Sequence, residues 1–72
     1  MEKYVVIEMQ TFAEGNMSTP CYAYDSQASA EAKYHSILAG AAVSELPVHA
    51  AVLANNAGIV MESKCYYHGV SE

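Results

Sequence analysis

SQASAEAKYHSILAGAAVS, residues 26–44, is the stretch on which the fold of this chain turns. Its spacing predicts one helix. At 100° per residue, Ser26, Ser29, Lys33, Ser36, Gly40 and Ser44 fall on one side, and Ala28, Glu31, His35, Leu38, Ala39 and Ala42 fall opposite. The second set is the expected buried face. Its small side chains permit close approach to a sheet, and they place Glu31 and His35 where water is scarce. Asp25 or Ser26 offers an N-cap oxygen, worth roughly 1 kcal/mol. Glu45-Leu46-Pro47 stops the helix, because proline biases the residue before it away from helical angles.

Upstream, residues 4–12 are rich in β-branched and aromatic side chains, with Val5, Ile7 and Met9 alternating against Glu8 and Gln10, the pattern of a half-buried strand. Residues 13–20 (AEGNMSTP) read as a loop, and 21–24 as a short second strand. Downstream, 48–54 and 59–67 read as strands joined by Asn55-Asn56-Ala57-Gly58, residue types that tolerate positive φ and so make a hairpin. The expected fold class is α+β: a single two-layer β-β-α-β-β domain over 1–72, with one helix packed on a small, mainly antiparallel sheet.

The strand faces carry the functional argument. In the last strand Met61, Ser63, Cys65 and Tyr67 share the face expected to meet the helix, while Val60, Glu62, Lys64, Tyr66 and His68 share the other. Residues 48–54 have His49 as their one strongly polar side chain, so both faces are apolar and the strand belongs mid-sheet with cover on both sides. One helix covers one face. Val48, Ala50 and the interface candidates Tyr4, Val6, Val52, Val60 and Tyr66 are expected on the other, rimmed by Glu8, Glu62 and Lys64. The contrary reading is that side chains as small as Ala50 leave too little apolar area to hold a partner.

A chain of 72 residues buries only about 60% of the surface its unfolded form exposes. Disulfides, a metal or self-association usually supplement so small a core. Cys21 and Cys65 stand apart with no Cys-x-x-Cys pair, and with His35, His49 and His68 they show no zinc-ligand spacing. No metal or cofactor is therefore expected, and self-association is the remaining support. Eight carboxylates against three lysines and no arginine give a formal charge of −5, which argues against direct binding of nucleic acid or an anionic membrane. The acids are scattered from Glu2 to Glu72, so mimicry of DNA has little support. Without an apolar signal region or a spanning run, a cytoplasmic protein with reduced thiols is expected.

Glu31 and His35, four apart, are within hydrogen-bond reach on a helix and form half of an acid–base site. No nucleophile or oxyanion donor accompanies them in a recognisable pattern, so no enzyme is expected. The plain alternative is that His35 caps a strand group or a tyrosine hydroxyl. Cys65 and His68, three apart on a strand, point to opposite faces and make no dyad. The helix start is the ligand-binding candidate: Tyr24, Ser26, Glu31 and His35, with free N–H groups for an anion. Tyr4, Tyr24 and Tyr66 read equally well as recognition contacts and as ordinary strand residues.

Tyr22-Ala23-Tyr24-Asp25-Ser26, Ala32-Lys33-Tyr34-His35, Gly58-Ile59-Val60 and Cys65-Tyr66-Tyr67-His68 together resemble a group of small proteins carried by phages and prophages of Gram-positive bacteria. The resemblance spans most of the chain and carries over no functional residue. It implies an intracellular accessory protein of a mobile element, of the kind that inhibits or sequesters a host component or forms a minor part of the virion. The expectation is thus a non-catalytic, self-associating binding module acting on a host protein. The alternatives are a structural or assembly component of a phage particle and, third, a small enzyme using Glu31 and His35.

Overall fold

Ser26 starts the helix. Its backbone is extended (φ −115°, ψ 133°) and its Oγ accepts the N–H of Ser29 at 3.3 Å, the N-cap geometry that satisfies one of the free donors of the first turn. The computed structural model describes residues 3–68, so Glu2 and Glu72 of the scattered acids lie outside it. The helix, α1, runs Gln27–Ala42. It closes where the N–H groups of Val43 and Ser44 return to the carbonyls of Gly40 and Ala41, and Ser44 Oγ then accepts the Leu46 N–H at 3.0 Å.

The strands are β1 (Tyr4–Thr11), β2 (Met17–Ser18), β3 (Cys21–Tyr24), β4 (Val48–Asn55) and β5 (Val60–Tyr67). All pairs are antiparallel, in the order β2-β1-β4-β5, with β3 also beside β1. This is the α+β, helix-on-sheet architecture expected, with β4 in the interior of the sheet as its two apolar faces required. The extra element is β2, inside the stretch read as a loop. Together β2 and β3 form one edge interrupted at Thr19-Pro20. The Glu8 N–H still reaches the Pro20 carbonyl at 2.9 Å, but proline has no N–H to return.

Asn55 builds the β4–β5 turn. Its Oδ1 accepts the N–H groups of Ala57 (2.9 Å) and Ile59 (3.1 Å), and Gly58 sits at φ +85°, a conformation that a side chain would strain. One residue past the turn the ladder slips. Leu53 faces Glu62 but Ala54 faces Val60, so Met61 is the extra residue of a bulge.

The buried face of α1 is Ala30, Tyr34, Ile37 and Ala41. The face expected from sequence is therefore rotated by about a third of a turn. Ala28, His35, Ala39 and Ala42 are exposed, Glu31 is half-buried, and Leu38 packs at the margin. The physical reason is size. Apolar residues surround this helix almost evenly, so the large Tyr34 and Ile37 determine which side is buried, and the alanines at 30 and 41 let the helix lie close to the sheet.

Under the helix lie Tyr4, Val6, Ala51 and Leu53, with Tyr22 and Tyr24 packed against them. Leu53 and Val6 are the largest side chains wholly removed from water, each worth about 1.5–3 kcal/mol. The expected strand faces are thus inverted. Tyr4 and Val6 belong to the core, and Glu62, Lys64 and Tyr66 share the helix side, in register with Leu53, Ala51 and His49. Ser63, Cys65 and Tyr67 turn away from it. The polar residues of β1 account for the inversion: Glu8 and Gln10 lie on the helix side, where His49 satisfies the carboxylate.

Candidate functional site

Among the described residues, the second side of the sheet has no layer over it. On β1 it presents Val5, Ile7, Met9 and Thr11, and on β4 Val48, Ala50, Val52 and Ala54. β3 adds Cys21 and Ala23, and β5 adds Val60, Ser63, Cys65 and Tyr67. No residue among these is charged. Four strands at about 4.8 Å and eight residues at about 3.3 Å give a planar footprint of about 500 Å². That lies near the top of the range, about 300–600 Å², for the largest apolar patch of a typical monomer, and patches of that size are often functional. Val60 (57% exposed) and Tyr67 (78%) stand furthest into solvent.

The five interface candidates separate accordingly. Val52 and Val60 are on this open face, whereas Tyr4 and Val6 are buried under α1 and Tyr66 is half-buried on the helix side. The expected charged rim is not there, since Glu8, Glu62 and Lys64 are on the opposite side of the sheet. Ile7 and Met9 are members of the face that the candidate set left out. Their alternation marked them as one set, but not as the set facing away from the helix.

The ligand-binding candidates do not converge. Ser26 is engaged as the N-cap, Tyr24 packs against the core, and the Glu31 carboxylate accepts from Gln27 Nε2 at 3.0 Å. His35 is exposed, with its ring edge-on to Tyr34 at 5.3 Å. Among the described residues Glu31 and His35 share no hydrogen bond, and no group of three metal-ligating side chains comes together.

A different titratable pair is largely removed from water. His49 Nε2 lies 2.6 Å from Glu8 Oε2, and Gln10 Nε2 donates to the same oxygen at 3.1 Å. Because a carboxylate oxygen accepts, Nε2 carries the proton, and the buried Nδ1 is left without a partner. Among the described residues no nucleophile hydrogen-bonds to this pair, so it reads as a polar strut between β1 and β4. His68 has a comparable structural task. Its Nε2 lies 2.7 Å from the Ala41 carbonyl and must donate to it, capping the negative end of α1.

Both thiols are free and exposed, and both lie on the open face. They are separated by three strand spacings, about 14 Å, well beyond disulfide reach. Tyr67, two residues after Cys65 on that face, has its hydroxyl pKa pushed above the ordinary 10.0, first by a side-chain hydrogen bond with Cys65 and then by the charge of that thiolate. On the other side Tyr34 is also raised above 10.0, first by burial and then by the charges of Glu62 and Tyr66.

Against this geometry, no protein-family model, curated protein or solved structure matches the chain. Among the described residues no helix is long and apolar enough to cross a membrane. The class defined by the structure is an α+β domain with one sheet face covered and one open.

Proposed function

We propose that this chain is a non-catalytic, self-associating binding module whose contact surface is the open sheet face. The observation that carries the reading is the absence of any charge on that face in a chain of net charge −5. Solubility favours charged surfaces, and an uncharged apolar sheet face gains most when another molecule covers it. In the light of the resemblance, the occupant is a host component that an accessory protein of a mobile element inhibits or sequesters in the cytoplasm. A second reading, a repeating component of a phage particle, draws on the long free edge of β5, and it predicts assemblies that grow with concentration.

The test is the double variant Ile7→Lys/Val52→Lys, at residues paired side by side on the open face. Wild-type protein should show a defined mass above that of one chain in light scattering, and should retain a host component in fixed stoichiometry from extract. The variant should lose that component while remaining folded. A wild-type monomer at every concentration would remove self-association from the reading, and equal retention by both proteins would remove the open face.

A further inference from the structure

We infer that two copies of this chain join along the outer edge of β5, with a two-fold axis at Ser63, merging their sheets so that the open faces become one surface. The inference rests on the self-association proposed above and specifies how it happens.

β5 ends the strand order, so among the described residues nothing pairs with its outer side. The His68 N–H bonds to the Pro47 carbonyl at 2.9 Å, and the ladder runs in step from Val48–Tyr67 to Leu53–Glu62. Antiparallel pairing alternates inward and outward groups. Glu62, Lys64 and Tyr66 therefore turn their N–H and C=O toward β4, while Ser63, Cys65 and Tyr67 turn theirs outward. Edges of this length are usually blunted by proline or by charge that repels a second copy. Here the charge is self-complementary.

A two-fold pairing is isologous, so a residue n places before the axis meets the one n places after it. With the axis at Ser63, Glu62 lies directly opposite the partner's Lys64 and Lys64 opposite the partner's Glu62. The outward N–H and C=O of Ser63 exchange bonds with their counterparts across the axis. An axis at Glu62 or Lys64 would keep outward groups opposite one another but would set like charges face to face across the axis. The Ser63 register is thus the one that pairs both side chains and satisfies the backbone. Neither Glu62 nor Lys64 has an ion-pair partner among the described residues, and Lys64 Nζ rests 5.1 Å from the Tyr66 ring centroid. A foreign strand would lack this matched charge order, which is why the second copy is the occupant argued for.

The experiment is a charge swap read by light scattering over a hundredfold concentration range. Glu62→Lys sets two ammonium groups against each other on both sides of the axis, and Lys64→Glu does the same with carboxylates. Each single variant should raise the dimer Kd about tenfold or more, and Glu62→Lys/Lys64→Glu together should restore it. In wild-type dimer the outward amides of Ser63 and Cys65 should exchange hydrogen slowly. If wild type is dimeric but the single swaps leave its mass unchanged, or those amides exchange as free ones, edge pairing is overturned while self-association stands. Loss of the dimer in Ile7→Lys/Val52→Lys with the swaps silent would likewise move the contact to the open face. A wild-type monomer throughout would overturn both.

Discussion

His49 and Glu8 meet across the β1–β4 pair at 2.6 Å, with both side chains largely removed from water. The contact explains how a strand with two polar residues, Glu8 and Gln10, can face the helix. Replacing Glu8 with leucine leaves a buried N–H on His49 without an acceptor, which costs about 1–3 kcal/mol. His49→Leu leaves the carboxylate with only Gln10 and should cost a comparable amount. The double variant should cost clearly less than the sum, because it removes both polar groups at once. Urea denaturation of the four proteins checks this, and additivity within about 0.3 kcal/mol would show that the two groups are not coupled.

Tyr34 predicts the alkaline limit of stability. Its folded pKa is raised, so the unfolded chain loses its phenolic proton first as pH increases. Stability from this group is complete below 10.0 and is lost as pH rises through the folded value. Tyr34→Phe should flatten the decline in melting temperature above pH 10 relative to wild type. An identical decline in both proteins would assign the effect to other groups.

The two thiols report on the open face. In the isolated chain Cys21 and Cys65 should both react with a small disulfide reagent at the rate of exposed thiols. A molecule laid over the face should slow both together, whereas edge pairing through β5 should leave both reactive. Protection of Cys65 alone would contradict a shared face.

The order of elements could be read from sequence because each signal was local: the Ser26 cap, the Pro47 stop, the Asn55 to Gly58 turn and the alternation within each strand. Which side of each element is buried could not be read in the same way. Alternation sorts Val5, Ile7 and Met9 from Tyr4, Val6 and Glu8, but long-range packing decides which set the helix covers. The polar Glu8 pointed to solvent, and its partner His49 is 41 residues away in the chain. The available clue was bulk: Tyr4, Val6, Leu53, Tyr34 and Ile37 are the large side chains that can close a core over alanines.

The rotation of α1 can be tested by two neighbours. If Glu31 and His35 lay on the buried face, truncating His35 would open a cavity and truncating Tyr34 would cost little. The structure demands the reverse, since Tyr34 is 3% exposed in the core and His35 is exposed. Tyr34→Ala should cost about 3–5 kcal/mol, the range for removing a large aromatic from a core. His35→Ala should cost no more than about 1 kcal/mol, since this exposed ring gives up only its edge contact with Tyr34. Total stability on this scale is of order 5–10 kcal/mol, so Tyr34→Ala could unfold the chain; Tyr34→Leu, which keeps most of the volume, keeps the comparison measurable. Equal denaturation midpoints for Tyr34→Leu and wild type, with a large loss for His35→Ala, would return the helix to the orientation its sequence first suggested.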